Sequence, residues 1–495
     1  MNQHKRIDHF MMRSAYVKPH TMKSRLLHCL CALGLTLPAL AADKPVLQAG
    51  AAAVDITPEQ FPMNMPGGFS ANMAEKAHDA FHARALVLAD GKTEVAMVVV
   101  DNLGAGPDVL DEAKKLASEK TGIPMDKMFI SSTHTHSGPS LNTRSEQAAA
   151  YYQKFVNGVA GSIIQAHAAL KPAAMGAAAE ALPDEVFNRR WYLKEGKMPL
   201  NPFGRLDRVK MNPGTDPKVI ERPAGPTDPD ITVLSIQDAQ RKALAIYANY
   251  SLHYVGGAPK GQMSADYFGE FARLMPSRVK GDEGFVAMMS NGTSGDINNI
   301  PFGVTRPPRE DFEQIRIVAQ KAADTAWRAQ RKIDKHRPDV SLGMRQREVT
   351  LKYRRPSAQE VAEAKAVLAV KDKEAVEKLP RLAQNYARST VSAAERPEET
   401  VTVQLQAIRI GDFAVCAIPF EVFVEIGLDL KKRSPFPQTM VVGLANGRHG
   451  YLPTLEQHSL GGYETWIGTC RVQEDTSVIL TDHLLEMMKE LEAER

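Results

Sequence analysis

Cysteine is scarce in this sequence, since its 495 residues include only four. Two of them, Cys29 and Cys31, lie in an N-terminal segment that we expect to be removed. The remaining two, Cys416 and Cys470, cannot build a disulfide scaffold and lack the close spacing of a zinc–thiolate site. They could bridge each other in an oxidising compartment. Because Cys416 lies in an apolar run, we instead expect it to be a buried, unpaired side chain.

The sequence also lacks a strong excess of either charge. The full chain has a formal charge of +3. Residues 1–41 contribute six Lys/Arg and one acidic residue, so 55 basic and 57 acidic residues remain beyond them. Binding of nucleic acid requires a clustered basic face. We therefore expect no nucleic-acid partner.

No segment reaches the roughly eighteen consecutive apolar residues of a membrane-spanning helix. The N-terminus instead has the pattern of an export signal, with a positive segment at 22–25, an apolar one at 26–37 and small residues at 39–41. A short membrane anchor is the alternative, but the apolar stretch is too short to cross about 30 Å of hydrocarbon. We expect residues 1–41 to be an upstream extension with a cleaved signal peptide. Residues 42–495 would then be periplasmic or secreted.

Short apolar runs alternate with helical segments in the rest of the chain. The runs are partly β-branched, which is typical of buried strands, and lie at residues 96–100, 128–130, 243–248, 285–289, 413–418 and 440–444. Helices are predicted at residues 107–121, 145–170, 309–333 and 476–494. This alternation predicts an α/β fold built around one main sheet.

Two segments interrupt the alternation. Residues 183–230 are rich in Pro, Asn, Gly and charge and are predicted to form long surface loops. Residues 357–388 begin with Ser357-Ala358-Gln359-Glu360, a capping-box pattern that starts a helix. We expect a helical hairpin there, with its charged face in solvent.

Histidines follow one of the predicted strands. His134 and His136, in the sequence SSTHTHSGP at 131–139, come directly after the run at 128–130. Ligand sites of α/β sheets lie at the carboxyl ends of strands, and residues two apart in an extended segment share a face. The pair could bind a metal ion or could be two hydrogen-bonded loop histidines.

Three further candidates also follow predicted strands. His253 comes after the run at 243–248, Glu421 after 413–418 and Tyr451 after 440–444. Each has an ordinary alternative, namely a structural histidine, a carboxylate paired with an arginine and a packing aromatic. A buried carboxylate must find some partner, because an unpaired buried charge is costly.

The combined pattern resembles the neutral ceramidases, which hydrolyse the N-acyl bond of ceramide. In the family's order, the matching segments are VDITP at 54–58, HTHSGP at 134–139, Ser264-Ala265-Asp266, Gly295-Asp296, Pro419-x-Glu421, Tyr451 and Tyr463-Glu464. The resemblance implies a single large catalytic domain with a central mixed sheet flanked by helices. The chain ends soon after Tyr463, so we expect it to lack the C-terminal immunoglobulin-like domain of larger members.

The resemblance also implies a set of functional residues. One zinc ion per chain would be held by His134, His253, Glu421 and Tyr451. Catalysis would involve His136, Arg189 and Tyr463. Arg189 matches the arginine of an Asn-Arg pair, although the adjacent Arg190 could take its role.

This residue set suits amide hydrolysis. Two imidazoles and a carboxylate are common ligands of catalytic zinc, whereas a phenol with an unperturbed pKa near 10 is unusual. Zinc lowers the pKa of water to about 7, so we expect water activated in this way to attack the amide carbonyl. Arg189, Tyr463 or His136 would stabilise the oxyanion, and His136 could pass a proton to the departing amine.

One position departs from the family pattern. Ceramidases have Gln-Ser-Asn-x-Gly-Asp where this chain has residues 291–296, and Gly292 stands at the position of the serine. We therefore expect no serine nucleophile, and we expect the loop at 290–299 to line the pocket.

The substrate would be a small N-acyl molecule, ceramide or a ceramide-like lipid, and a lipid substrate would allow peripheral membrane contact. The alternatives are a related metallohydrolase acting on a non-lipid amide or ester, and a non-catalytic binding protein that retains the fold. The oligomeric state stays open.

Overall fold

The computed structural model describes residues 46–68 and 70–494. These residues belong to one compact unit, Lys44–Arg495. The predicted signal peptide, including Cys29 and Cys31, lies outside the described residues. Within the described part of the chain, every helix is too short or too polar to cross a bilayer.

The described residues form ten α-helices. They are α1 (Pro107–Thr121), α2 (Glu146–Ala168), α3 (Asp266–Val279), α4 (Glu313–Arg331), α5 (Ala358–Ala369), α6 (Lys373–Glu377), α7 (Ala383–Glu395), α8 (Val424–Arg433), α9 (Leu455–Leu460) and α10 (Thr476–Ala493). Three 3₁₀ turns lie at Met125–Lys127, Pro183–Glu185 and Tyr463–Thr465.

Two sheets contain the longer strands. The strands are β1 (Gln48–Asp55), β2 (His82–Ala89), β3 (Glu94–Val100), β4 (Met128–Ser132), β5 (Lys171–Ala181), β6 (Asp230–Asp238), β7 (Ala243–Tyr250), β8 (Val286–Asn291), β9 (Leu342–Lys352), β10 (Thr400–Ile410), β11 (Phe413–Ala417) and β12 (Gln438–Val442). Shorter strands are Met63–Asn64, Met73–Ala74, Lys76–Ala77, Phe187–Asn188, Arg190–Leu193, Lys210–Met211, Ile220–Pro223, Gln262–Met263, Ile297–Asn298, Glu421–Val422 and Tyr451–Leu452.

The larger sheet is mixed and has the strand order β8-β7-β6-β5-β1-β2-β3-β4. Its interior pairs are antiparallel, while β7–β8 and β3–β4, at its two edges, are parallel. The smaller sheet has the order β9-β10-β11-β12, with β11–β12 parallel.

Buried apolar side chains hold four layers together. Helices α1 and α2 pack on β1–β3, and α3 and α4 pack on β6–β8, all on one face of the larger sheet. The other face packs against the smaller sheet, through side chains such as Met97 and Ile408. Helices α8 and α10 cover the outer face of the smaller sheet. The order of layers is therefore helix, sheet, sheet, helix.

The curvature of the larger sheet brings its two edges together. Edge strands β4 and β8 are in contact although they stand at opposite ends of the strand order. The segment after β12 lies between them, because Ser132 N donates to Leu444 O and Gly443 N donates to Asn291 O. The carboxyl ends of β4, β7, β8 and β12 therefore meet in one place.

The predicted α/β class with a central mixed sheet and flanking helices is confirmed. All six apolar runs contribute to strands, and the four predicted helices are present, with α1 at the predicted bounds. Ser357 caps α5 in a complete capping box with Glu360. Cys416 and Cys470 are both buried and unpaired.

One local prediction was wrong in part. Residues 183–230 are not only surface loops, because they contain four short strands and the buried Arg189 and Arg190. The hairpin at 357–388 is helical as predicted and continues to Glu395. Its charged side chains include the exposed Arg388 of α7, which also lines a cavity.

Candidate active site

The candidate metal ligands lie where the strand ends meet. His134 follows β4 in the left-handed region, with φ 73°, and His253 follows β7. Glu421 lies four residues after the end of β11. Each of these three side chains is at least nine-tenths buried. The larger sheet thus supplies His134 and His253, and the smaller sheet supplies Glu421, so that three distant chain segments form one cluster.

The histidine tautomers are set by backbone carbonyl groups. Distances from ring Nδ1 to carbonyl oxygen are 2.6 Å for His134 to Leu103, 2.9 Å for His253 to Ser294 and 2.9 Å for His136 to Gly67. Because a carbonyl oxygen only accepts, each Nδ1 carries the proton and donates it. Burial lowers the pKa of His253 and of His136 well below the usual value. The rings of His253 and His136 are therefore neutral and keep a lone pair on Nε2.

These lone pairs face one another and a carboxylate. His134 Nε2 lies 3.1 Å from His253 Nε2, 3.2 Å from His136 Nε2 and 3.3 Å from Glu421 Oε2. Among the described residues, Glu421 Oε2 is buried with no hydrogen-bond donor. Ligands at about 2.0–2.1 Å from a tetrahedral zinc ion are about 3.3–3.4 Å apart. A group of acceptor atoms at this spacing can surround a cation. Without a cation, burying these atoms together costs free energy.

Tyr451 joins this cluster through strand pairing. Glu421–Val422 and Tyr451–Leu452 form a parallel ladder in which Glu421 is directly opposite Tyr451. Opposite residues direct their side chains to the same face of a sheet. The buried Tyr451 hydroxyl accepts a hydrogen bond from Arg189 Nη2 at 3.1 Å.

His136 lies as close to the candidate metal ligands as they lie to one another. One ring nitrogen from each of His134, His136 and His253 lies within 4.8 Å of the other two, a spacing at which the three residues could hold a metal ion. The ring of His136 also stacks on Tyr254, with centroids 3.8 Å apart. His136 therefore has the geometry of a ligand as well as that of a base beside the metal.

The two adjacent arginines have different surroundings. Arg189 Nε donates to Glu464 Oε1 at 2.9 Å while its Nη2 reaches Tyr451. Arg190 is fully buried and donates to Glu464 Oε2 at 2.6 Å and to Gln457 Oε1 at 2.9 Å. Arg189 is thus the arginine that contacts the cluster. Glu464 joins the two cations.

Tyr463 lies beside Tyr451 at the wall of a cavity. The two rings are 5.6 Å apart in an edge-to-face arrangement. Burial and the charge of Glu421 raise the pKa of Tyr463 to about 12. Its phenol is therefore protonated at neutral pH and can donate a hydrogen bond.

The Ser264-Ala265-Asp266 segment positions both histidine loops, a role that the sequence did not indicate. Thr135 Oγ1 donates to Ser264 O at 2.7 Å, next to His134 and His136. Asp266 accepts from the backbone N–H groups of Val255 and Gly256, at 3.0 and 2.9 Å. One short segment thus holds the loop after β4 and the loop after β7.

The loop at 290–299 lines the pocket only in part. It is absent from the wall of the cavity beside Tyr463, but Asn298 and Asn299 line a second cavity of about 240 Å³ together with Arg189 and His253. The rest of the loop lies behind the cluster, where Ser294 O accepts from His253 Nδ1. Asp296 accepts from Val424 N at 2.9 Å and from Asn188 Nδ2 at 2.8 Å. The loop therefore supports the site and also contributes to a cavity next to it.

Replacing Gly292 by serine is expected to cost stability without adding activity. A Cβ at this position would lie 2.6 Å from Ser251 Oγ and 3.0 Å from Ser251 Cα. Overpacking of this kind typically costs about 1–3 kcal/mol. Denaturant unfolding and turnover would be measured beside Gly161→Ser, where a Cβ meets nothing within 4 Å. Increased turnover at unchanged stability would contradict the expectation.

Three arginines on the cavity wall were not among the predicted site residues. Arg388, Arg448 and Arg471 line it together with His134, His136, Glu421, Tyr451 and Tyr463. Arg448 Nε lies 3.9 Å from Glu421 Oε1. No strand-end pattern marks these positions, so the sequence offered no signal for them.

Comparisons with known proteins identify the family and the fold of this chain. The family model described as neutral/alkaline non-lysosomal ceramidase, N-terminal, matches residues 47–304. Two solved structures, the neutral ceramidase from Pseudomonas aeruginosa and a ceramidase complexed with C2, each have a TM-score of 0.68 and 18% identity to this chain. Each covers 91% of this chain, and the match spans 75% and 76% of theirs, respectively. A comparison with curated protein sequences gave no match.

Proposed function

Because this chain belongs to the neutral/alkaline non-lysosomal ceramidase family, we propose that it is a zinc-dependent hydrolase that cleaves the N-acyl amide bond of ceramide or a ceramide-like lipid. Family membership implies a hydrolase. The observation that carries the zinc proposal is the convergence of buried ligand atoms, since His253 Nε2, His136 Nε2 and Glu421 Oε2 all lie within 3.3 Å of His134 Nε2. A small lipid substrate is supported by the related ceramidase that was solved in complex with C2.

His134, His253, Glu421 and Tyr451 would hold the ion, with His136 beside it. A bound zinc ion would supply Lewis acidity and water with a pKa of about 7. Hydrolysis adds the hydroxyl of water to the acyl carbon, breaks the C–N bond and delivers a proton to the departing nitrogen. His136 Nε2 lies next to the ligand cluster and can accept and return that proton.

Two donors are available for the oxyanion. Tyr463 keeps its phenolic proton and lies on the cavity wall. Arg189 is held by Glu464 and directs Nη2 to the Tyr451 hydroxyl. Donors fixed before the reaction stabilise developing charge without reorganising. This arrangement suits acyl transfer to water.

The test of the proposal is metal analysis of the purified protein, combined with a screen of short- and long-chain N-acyl amides and esters. We expect stoichiometric zinc and hydrolysis of amides that is lost on chelation and restored by zinc. Protein that contains zinc but hydrolyses none of these substrates would contradict the proposal.

Replacing Tyr463 by phenylalanine is expected to lower kcat by about 10–1000-fold while zinc content stays unchanged. The change removes one hydrogen-bond donor for the oxyanion, and such donors typically contribute this much. The control is Tyr151→Phe, which removes a buried hydroxyl that has no partner among the described residues. A wild-type kcat in the Tyr463 variant would exclude this role.

We also propose that the protein acts outside the cytoplasm. Residues 42–495 would then form the mature protein, which is periplasmic or secreted. The basis is the signal-peptide pattern of residues 22–41.

A further inference from the structure

The cavity that leads to the ligand cluster is polar and cationic. Its volume is about 560 Å³, and Arg388, Arg448 and Arg471 lie on its wall. Among the described residues, its lining includes no Leu, Ile, Val, Met or Phe. A pocket for a neutral lipid would be lined mainly by apolar side chains.

The positive charge continues beyond this cavity. An adjoining cavity of about 380 Å³ shares Arg388 and Arg471 with the first and adds Arg354 and Arg396. Arg448 lies nearest the ligand cluster, 3.9 Å from Glu421. The arginine cleft, defined here as Arg354, Arg388, Arg396, Arg448 and Arg471, therefore extends outward from the reacting centre.

Arg354 and Arg448 pair with Glu474 and Glu421, whereas the other three arginines have no carboxylate partner within the described part of the chain. Arg388 Nη2 donates to the amide oxygen of Asn385 at 3.3 Å, and Arg471 Nε donates to Gly468 O at 3.5 Å. Burial and the charges of Arg448 and Arg396 lower the pKa of Arg471. Cations crowded in this way attract an anion, and guanidinium groups match the geometry of carboxylates.

We propose that the arginine cleft binds a carboxylate carried by the substrate within a few bonds of the scissile amide. The favoured substrates are then acidic N-acyl compounds, such as N-acyl amino acids, in place of the neutral ceramides of the proposed function. The inference rests only on the amidase part of the proposed function, because it places the amide carbonyl at the ligand cluster. It also gives a role to α7, which contributes Arg388.

The experiment compares kcat/KM of the zinc-loaded enzyme for three matched eight-carbon amides. N-octanoylglycine has a carboxylate on the amine side, N-octylsuccinamic acid has one on the acyl side, and N-octanoylethanolamine is neutral. We expect at least one acid to be preferred about tenfold or more, which corresponds to one charge-assisted hydrogen bond. The preferred acid then identifies the side on which the carboxylate lies.

Variants of the arginines test the cause of this preference. Arg388→Gln and Arg471→Gln are each expected to reduce the acid-to-neutral ratio about tenfold, chiefly through KM. Arg388→Lys keeps the charge and should reduce the acid-to-neutral ratio less than Arg388→Gln does. Arg316→Gln, on the exposed side of α4, is the control. Equal or better hydrolysis of the neutral amide, or a ratio that is unchanged in both glutamine variants, would overturn the inference while leaving the amidase proposal intact.

If the zinc-loaded enzyme hydrolyses none of the three amides, the proposed function fails, and calorimetric titration with N-octanoylglycine decides the inference separately. Binding that Arg388→Gln weakens about tenfold supports the cleft. Absence of binding by both N-octanoylglycine and N-octylsuccinamic acid overturns it.

Discussion

Replacing His134 is expected to remove both tightly bound zinc and hydrolysis. Its Nε2 lies within 3.3 Å of His253 Nε2, His136 Nε2 and Glu421 Oε2, so its loss opens the centre of the cluster. Without the ion, the pKa of water returns from about 7 to 15.7, and turnover should fall by on the order of 10³-fold or more. Zinc content would be measured by elemental analysis, and turnover with the best amide of the screen.

The choice of replacement matters because His134 has φ 73°. Alanine is strained in the left-handed region, whereas asparagine tolerates it. His134→Asn therefore separates loss of the ligand from loss of the backbone conformation. His336→Ala is the matched control. His336 lies away from the cluster, and its Nε2 is 3.0 Å from Ser235 Oγ. Stoichiometric zinc in His134→Asn would remove His134 from the ligand set.

Replacing Glu464 by alanine is expected to lower the free energy of unfolding by about 3–5 kcal/mol. Glu464 is fully buried and pairs with Arg189 at 2.9 Å and with Arg190 at 2.6 Å. Its loss would leave two cations buried without their carboxylate, which is the costly way to break such a network. Arg189 would also lose the group that orients it toward Tyr451, so turnover should fall as well.

Denaturant unfolding of three variants would test this expectation. Glu464→Gln preserves the shape but not the charge and should be less damaging than Glu464→Ala. Glu474→Ala is the control, because Glu474 is 55% exposed and lies 3.4 Å from Arg354. Exposed pairs of this kind contribute about 0–1 kcal/mol. A cost for Glu464→Ala that is no larger than that of the control would show that the buried network is not needed for folding.

Local sequence patterns were sufficient for much of the fold. Helix α1 was predicted at its observed bounds because Pro107 starts it and Gly122 ends it. Strand β5 was missed, since its sequence KPAAMGAAAEA is rich in alanine and favours no strand by itself. It forms a strand because β6 pairs with it along its length. Tertiary pairing, which no local pattern reports, decided that segment.

The candidate site was predictable residue by residue but not as an arrangement. His134, His253 and Glu421 each follow a strand, and that property was visible in the sequence. Their meeting depends on contact between β4 and β8, which stand at opposite edges of the larger sheet. The same limit applies to Arg388, because helical periodicity does not reveal which surface a charged face meets.

The main-chain oxygens of Leu103, Ser294 and Gly67 are the closest hydrogen-bond acceptors of the three imidazole Nδ1 atoms. A point mutation exchanges side chains and leaves the peptide oxygen in place. Saturation mutagenesis should therefore find position 103 permissive wherever packing allows, in contrast to the histidines themselves. Position 294 should be less permissive, because Ser294 Oγ also lies 3.4 Å from His253 Nδ1 and donates to Asn291 Oδ1 at 2.7 Å. Position 67 should be restrictive for a separate reason, since a Cβ there would lie 2.4 Å from His136 O. The orientation of the His134 ring is thus independent of the side chain at position 103.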